Sequence, residues 1–168
     1  MRKKIRDAVF YIIVGFYVIL MLQIFFRILW IIMGDHMPTR NYNLIPFHTI
    51  WEYISGMSLT LALLNVLGNI VGFVPFGLYI QVIKKDKSFA KSFIIVLATS
   101  VLIELTQYIF AVGATDIDDV ILNVFGGTIG ILTYKILLKL LQDEDKTKTF
   151  ITIASIIIGV PLTYLFLI

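Results

Sequence analysis

Five short polar groupings interrupt a chain that is otherwise apolar: Asn65 with Asn69, Glu104 with Gln107, the acidic run Asp116, Asp118 and Asp119, Asn123 one turn after it, and Asn43 with Pro46 and Phe47. Residues one helical turn apart share a face. The pairs Asn65/Asn69 and Asp119/Asn123 therefore each project together, as do Ser100, Glu104 and Gln107. Three kinds of chemistry fit these types. Amides and carboxyl groups together make a hydrogen-bonding site for a polar head group. Three aspartates are hard oxygen ligands of the kind that hold Mg2+ or Ca2+. An enclosed glutamate can serve as a general base or carry a proton.

The elements that must position these groups are membrane spans. Hydrophobic residues make up 59% of the 168 and mean hydropathy is +0.94. Several apolar runs reach the twenty or so residues needed to cross a hydrocarbon core of about 30 Å. The sequence predicts an all-α polytopic membrane helix bundle with about five transmembrane helices: Ala8–Met33, Leu59–Ile83, Phe89–Val112, Asp119–Leu141 and Thr149–Ile168. The linkers are too short for a soluble domain, so residues 1–168 are expected to form one integral membrane domain. With the N-terminus cytoplasmic, the inner ends hold twelve of the fourteen basic residues, and only Arg27 and Arg40 fall outside. That bias sets the expected orientation in the cell membrane. It explains the net charge of +3 by topology and anionic lipid rather than by nucleic acid. The first apolar stretch is too long for a cleaved signal peptide. Without cysteine, disulfides, thiolate zinc sites and cysteine nucleophiles are excluded.

Depth brings the polar groups together. At 1.5 Å per residue, Glu104 lies about 22 Å along its span, roughly 8 Å short of the outer boundary. The same count puts Asn65 about 9 Å and Asn123 about 6 Å below that boundary. Glu104, Asn69 and Asn123 are therefore expected to converge in the outer half. The glycine series Gly126, Gly127 and Gly130 is expected to pack against the Gly68–Gly72 face, since small residues let membrane helices approach closely. Pro75 is expected to kink the inner half of its span. In the outer connection, Pro46 forbids a continuous helix, which predicts an extended or re-entrant segment followed by a short interfacial helix. His48 and Glu52 face together on that helix. Gln23 and Arg27 fit an interfacial, snorkelling pair. Asp116 or Asp118 fits a cap for the fourth span. Residues Gln142–Lys148 read as a charged cytoplasmic turn.

Three segments resemble the VanZ-like membrane protein family: N-L-I-P-F at Asn43–Phe47, N-V-L-G-N-I-V-G-F-V-P-F-G at Asn65–Gly77, and E-L-T-Q followed by D-I-D-D-V-I-L-N-V-F-G-G within Glu104–Gly127. Where many relatives carry an arginine before the acidic motif, this chain has Gly113, Ala114 and Thr115. The resemblance implies a membrane protein associated with resistance to teicoplanin and related lipoglycopeptides, by a route other than remodelling the D-Ala–D-Ala target.

Three functional readings follow. The first is a binding protein whose outward-facing site (Asn43, Pro46, Phe47, Asn65, Asn69, Glu104, Gln107, Asp116, Asp118, Asp119 and Asn123) takes membrane lipids, for instance a cell-wall lipid precursor. The second is an intramembrane enzyme acting on a phospholipid or polyprenyl-phosphate. There Asp116, Asp118 and Asp119 hold the metal and Glu104 is general base, but only Arg40 and His48 are nearby cations for a phosphoryl transition state. The third is a proton-coupled transporter using Glu104, although carrier sites normally lie at the midplane between repeated halves. No G-x-S-x-G elbow, P-loop or dinucleotide fingerprint is present.

Overall fold

The computed structural model describes residues 2–33, 41–57, 59–111 and 114–167. In chain order the elements are α1 (Arg2–Met33), β1 (Asn41–Asn43), α2 (His48–Glu52), a π-helical turn (Tyr53–Met57), α3 (Leu59–Ile83), α4 (Phe89–Phe110), β2 (Ala114–Asp116), α5 (Ile117–Leu141) and α6 (Glu144–Leu167). The protein is all-α apart from the two three-residue strands. Four helices, α1, α3, α4 and α5, are long and apolar enough to cross a membrane within the described residues, and α5 is the most enclosed of them. Leu63, Leu64, Leu67, Ile94, Leu102 and Ile109 are exposed, as side chains bathed by lipid must be. The expected pair Gln23 and Arg27 lies outside the described side chains. His36, Pro38, Arg40, Val112 and Gly113 lie outside the described residues altogether.

Contacts group the chain into two compact units, residues 27–133 and residues 1–26 with 134–168. In the first, α3 and α5 run parallel with α4 returning between them in sequence, and backbone meets backbone. A Cβ on Gly126 would sit 2.2 Å from the Ile70 carbonyl oxygen, one on Gly130 would sit 2.1 Å from that of Val74, and one on Gly77 would sit 1.9 Å from that of Gly127. Gly127 also receives the Val96 side chain of α4, 2.4 Å from where its Cβ would be. The expected partners, Gly68 and Gly72, are not the contact. Nothing lies within 4 Å of a Cβ on either. The contacting stripe is Ile70, Val74 and Gly77. Two residues turn a helix by about 200°, so Gly68 and Gly72 face away from it. Small-residue spacing showed that close approach occurs but not which face makes it. Helix α3 continues through Pro75.

The turn between α3 and α4 is closed by charge. Lys87 Nζ donates to the carbonyls of Gln81 (2.7 Å) and Lys84 (2.6 Å), a cation on the negative end of α3. Asp86 accepts from the Ser88 N–H (2.9 Å) and from Lys91 (2.6 Å). The Lys91 hydrogen bond holds the Asp86 carboxyl below its ordinary range.

In the second unit, the expected seven-residue turn Gln142–Lys148 contracts to two residues. Gln142 takes a left-handed conformation (φ 51°) and closes α5 through its N–H to the Leu138 carbonyl (2.8 Å). Asp143 then caps α6 by accepting from the Lys146 N–H (2.9 Å), and Glu144 and Asp145 favour the positive helix end. The basic N-terminal segment is likewise helical from Arg2. Lys3 and Arg6 each reach Asp145 at 2.9 Å, and Lys148 reaches Asp7 at 2.9 Å.

This pairing titrates. The hydrogen bond from Lys3, then that from Arg6, lowers the Asp145 carboxyl. A lowered carboxylate stabilises the folded state above its unfolded pKa of about 4, and that contribution is lost as pH falls through the folded value. The expected result of a carboxyl NMR titration is therefore Asp145 below the ordinary aspartate midpoint, moving up in Lys3→Gln. An unmoved midpoint in Lys3→Gln would refute the pairing.

Candidate functional site: an acid–amide network at the start of α5

The network begins where chain geometry leaves backbone donors over. Asn41, Tyr42 and Asn43 pair in parallel with Ala114, Thr115 and Asp116, which brings the segment ahead of α2 to the start of α5. Tyr42 packs edge-on to Tyr108, with centroids 6.4 Å apart. Asn43 Oδ1 then accepts from the Ile45 N–H (3.0 Å), turning the chain into Pro46. Phe47 sits in the left-handed region (φ 64°) at the cap position of α2 and offers no capping side chain. The cap comes from far along the sequence. The Asp118 carboxyl, 1% exposed, accepts from the N–H groups of Phe47, Thr49 (3.1 Å) and Ile50 (3.3 Å). Of the two residues expected to cap α5, Asp116 does so, accepting from the Asp118 N–H at 2.9 Å. Asp118 instead caps α2.

Asp116 is the hub between this clamp and α4. Its N–H donates to Glu104 Oε2 (2.9 Å), and Asn43 Nδ2 bridges Thr49 Oγ1 (2.9 Å) and Asp116 Oδ1 (3.4 Å). The Thr115 hydroxyl donates to the Glu104 carbonyl at 3.2 Å. Glu104 itself is 5% exposed and ends a file on α4 in which Ser92, Val96, Ser100 and Glu104 are all buried at four-residue intervals.

Asp119 faces α3. Asn69 Nδ2 donates to its Oδ1 at 2.6 Å, and Asn65 is within hydrogen-bonding reach of the same carboxyl. One turn further along α5, Asn123 Nδ2 donates to Ser100 Oγ at 3.1 Å. The structure thus places these residues in three hydrogen-bonded sets: Asn43, Glu104, Asp116 and Asp118; Asn65, Asn69 and Asp119; and Asn123 with Ser100. Phe47 joins through its backbone alone, since its side chain is 61% exposed, and Pro46 is exposed too. Gln107 is on the neighbouring turn of α4, with an enclosed Oε1 that has no partner. Thr49 and Thr115 were not anticipated. Each acts across a gap of six or more residues in the chain, which local spacing does not reveal.

The three aspartates are not pooled. Among the described residues, no three acidic or histidine side chains are grouped to hold a metal ion. The Asp118 carboxyl turns toward the α2 amides, that of Asp116 toward Asn43 and the Asp118 N–H, and that of Asp119 toward α3, so the expected Mg2+ or Ca2+ set does not form in this arrangement. His48 and Glu52 do face together, 3.7 Å apart and both exposed.

The sequence model of the VanZ/LLP1 family matches residues 8–139, well over half of the chain. This protein belongs to the VanZ-like family. Protein VanZ of Enterococcus faecium is 32% identical over 125 residues, covering 74% of this chain and 71% of that relative. No solved structure matches. Every member of the acid–amide network lies inside the VanZ-like region, whereas α6 begins beyond it.

Proposed function

We propose that this VanZ-like membrane protein binds the head group of a cell-envelope lipid at the acid–amide network, and that occupancy of this site protects the cell against lipoglycopeptides of the teicoplanin type. The site faces outward from the cell membrane. What carries the reading is the burial of Glu104, Asp116, Asp118 and Asn123 at one end of long apolar helices. Ionisable groups enclosed within membrane spans are rare and face a partner or a cavity, and helix packing alone is achieved here by glycine and aliphatic contacts. The bias of basic residues toward the opposite helix ends supports the sidedness. An enzyme working through a three-aspartate metal set is less well supported, because those carboxyl groups accept from three different sets of donors.

The test is teicoplanin susceptibility of a sensitive host expressing the chain. Wild type is expected to raise the inhibitory concentration, and Glu104→Gln, equal in shape and matched for membrane level, is expected to return it to that of the empty host. Full protection by Glu104→Gln would overturn the reading.

A further inference from the structure

The network leaves acceptors over. Asn123 is 4% exposed, and once its Nδ2 has gone to Ser100 its Oδ1 has no partner among the described residues. It stands one turn along α5 from Asp119, and Ser100 stands one turn along α4 from Glu104, so the Asn123–Ser100 pair is on the turns next to both acids. Two further enclosed amide oxygens without partners among the described residues, Asn65 Oδ1 and Gln107 Oε1, stand one turn from Asn69 and Glu104. A buried acceptor is satisfied only by a donor. Charge points the same way. Among the described residues, no lysine, arginine or histidine forms an ion pair with Glu104, Asp116, Asp118 or Asp119.

We propose that the ligand of this site presents a primary ammonium group to Glu104, Asp119 and the Asn123 oxygen. The inference rests on the head-group reading and narrows it. An ammonium carries positive charge and three N–H donors on one atom, the complement of carboxyl groups and orphan amide oxygens. A bare phosphate offers only acceptors and brings like charge to an acid cluster. A neutral hydroxylated head group satisfies the oxygens but leaves the acids without a counter-charge. The amine is that of a lipid or of a small soluble molecule, and the two sources are separable.

The experiment is native mass spectrometry of the delipidated full-length protein titrated with lipids of identical acyl chains: phosphatidylethanolamine, its N-acetylated form and phosphatidylglycerol. Phosphatidylethanolamine is expected to bind about tenfold or more tightly than either of the others, the scale of one charge-assisted hydrogen bond. Glu104→Gln and Asn123→Leu are expected to remove the preference, with melting temperatures reported alongside. Competition by free ethanolamine at equal strength would identify the amine alone as the ligand. Its failure would assign the site to the lipid. Equal or tighter binding of phosphatidylglycerol, abolished by Glu104→Gln, would overturn the ammonium inference and leave the head-group site standing. Indifference of all three lipids to Glu104→Gln would overturn both.

Discussion

Gly126→Val should strongly destabilise the packing of α3 on α5, while Gly68→Val in the same protein should be close to neutral. At Gly126 any Cβ meets the Ile70 carbonyl oxygen at 2.2 Å. That obstacle is backbone, so no rotamer change relieves it, and the helices must separate. Overpacking of a tight contact costs about 1–3 kcal/mol and more where nothing yields. Separating α5 from α3 also disengages Asn69 from Asp119. A total of about 3 kcal/mol or more corresponds to a fall in melting temperature of roughly 6–12 °C for a chain of this size. A Cβ on Gly68 meets nothing within 4 Å. Thermal melts of detergent-solubilised variants decide between the two. If Gly68→Val is the damaging one, the α3 face in contact has been assigned wrongly.

Asp118→Ala should free the segment from Phe47 to Ile50 without unfolding the helices. Three backbone N–H groups lose their acceptor together, and Phe47 and its neighbours offer no side-chain replacement. Hydrogen bonds to a charged group contribute about 1.5–3 kcal/mol each, but the contributions are not additive within one carboxyl group. A net loss of about 3 kcal/mol is expected. That is roughly a hundredfold change in local opening. Hydrogen exchange should therefore show the Phe47, Thr49 and Ile50 amides exchanging about a hundredfold faster in Asp118→Ala, with Asp118→Asn between the two because one acceptor oxygen remains. Unchanged protection would show that Asp118 does not hold this turn. The consequence for function is direct, since Asn43 and Asp116 share the same clamp and Asp116 delivers its N–H to Glu104.

The parts of this architecture written in local pattern were legible in the sequence. Hydropathy placed the long helices, and similar depths along their spans predict that Glu104, Asn69 and Asn123 share one level, but depth does not name the partners, which are Asp119 for Asn69 and Ser100 for Asn123. What local pattern does not hold was missed. The Gly68/Gly72 spacing advertises close packing, yet the contact runs through Ile70 and Val74, whose backbones are what Gly126 and Gly130 expose to each other. The pairing of Asn41–Asn43 with Ala114–Asp116 spans over seventy residues with three-residue strands, too short to show a period. The aspartate run read as a metal set because its residue types suit one. Only the fold shows each carboxyl turned to a separate set of donors. The start of α6 was placed late because hydropathy marks where apolar residues begin, while the helix is started by the Asp143 cap.

The central claim is that the acid–amide network holds an envelope lipid, and its most direct test is native mass spectrometry of the protein extracted gently from its own membrane. Wild type is expected to carry a discrete lipid adduct that is lost in Asn69→Ala and in Glu104→Gln while both variants remain folded. Adducts of the same mass and occupancy on all three proteins would contradict it and leave the network as hydrogen-bonded glue between helices.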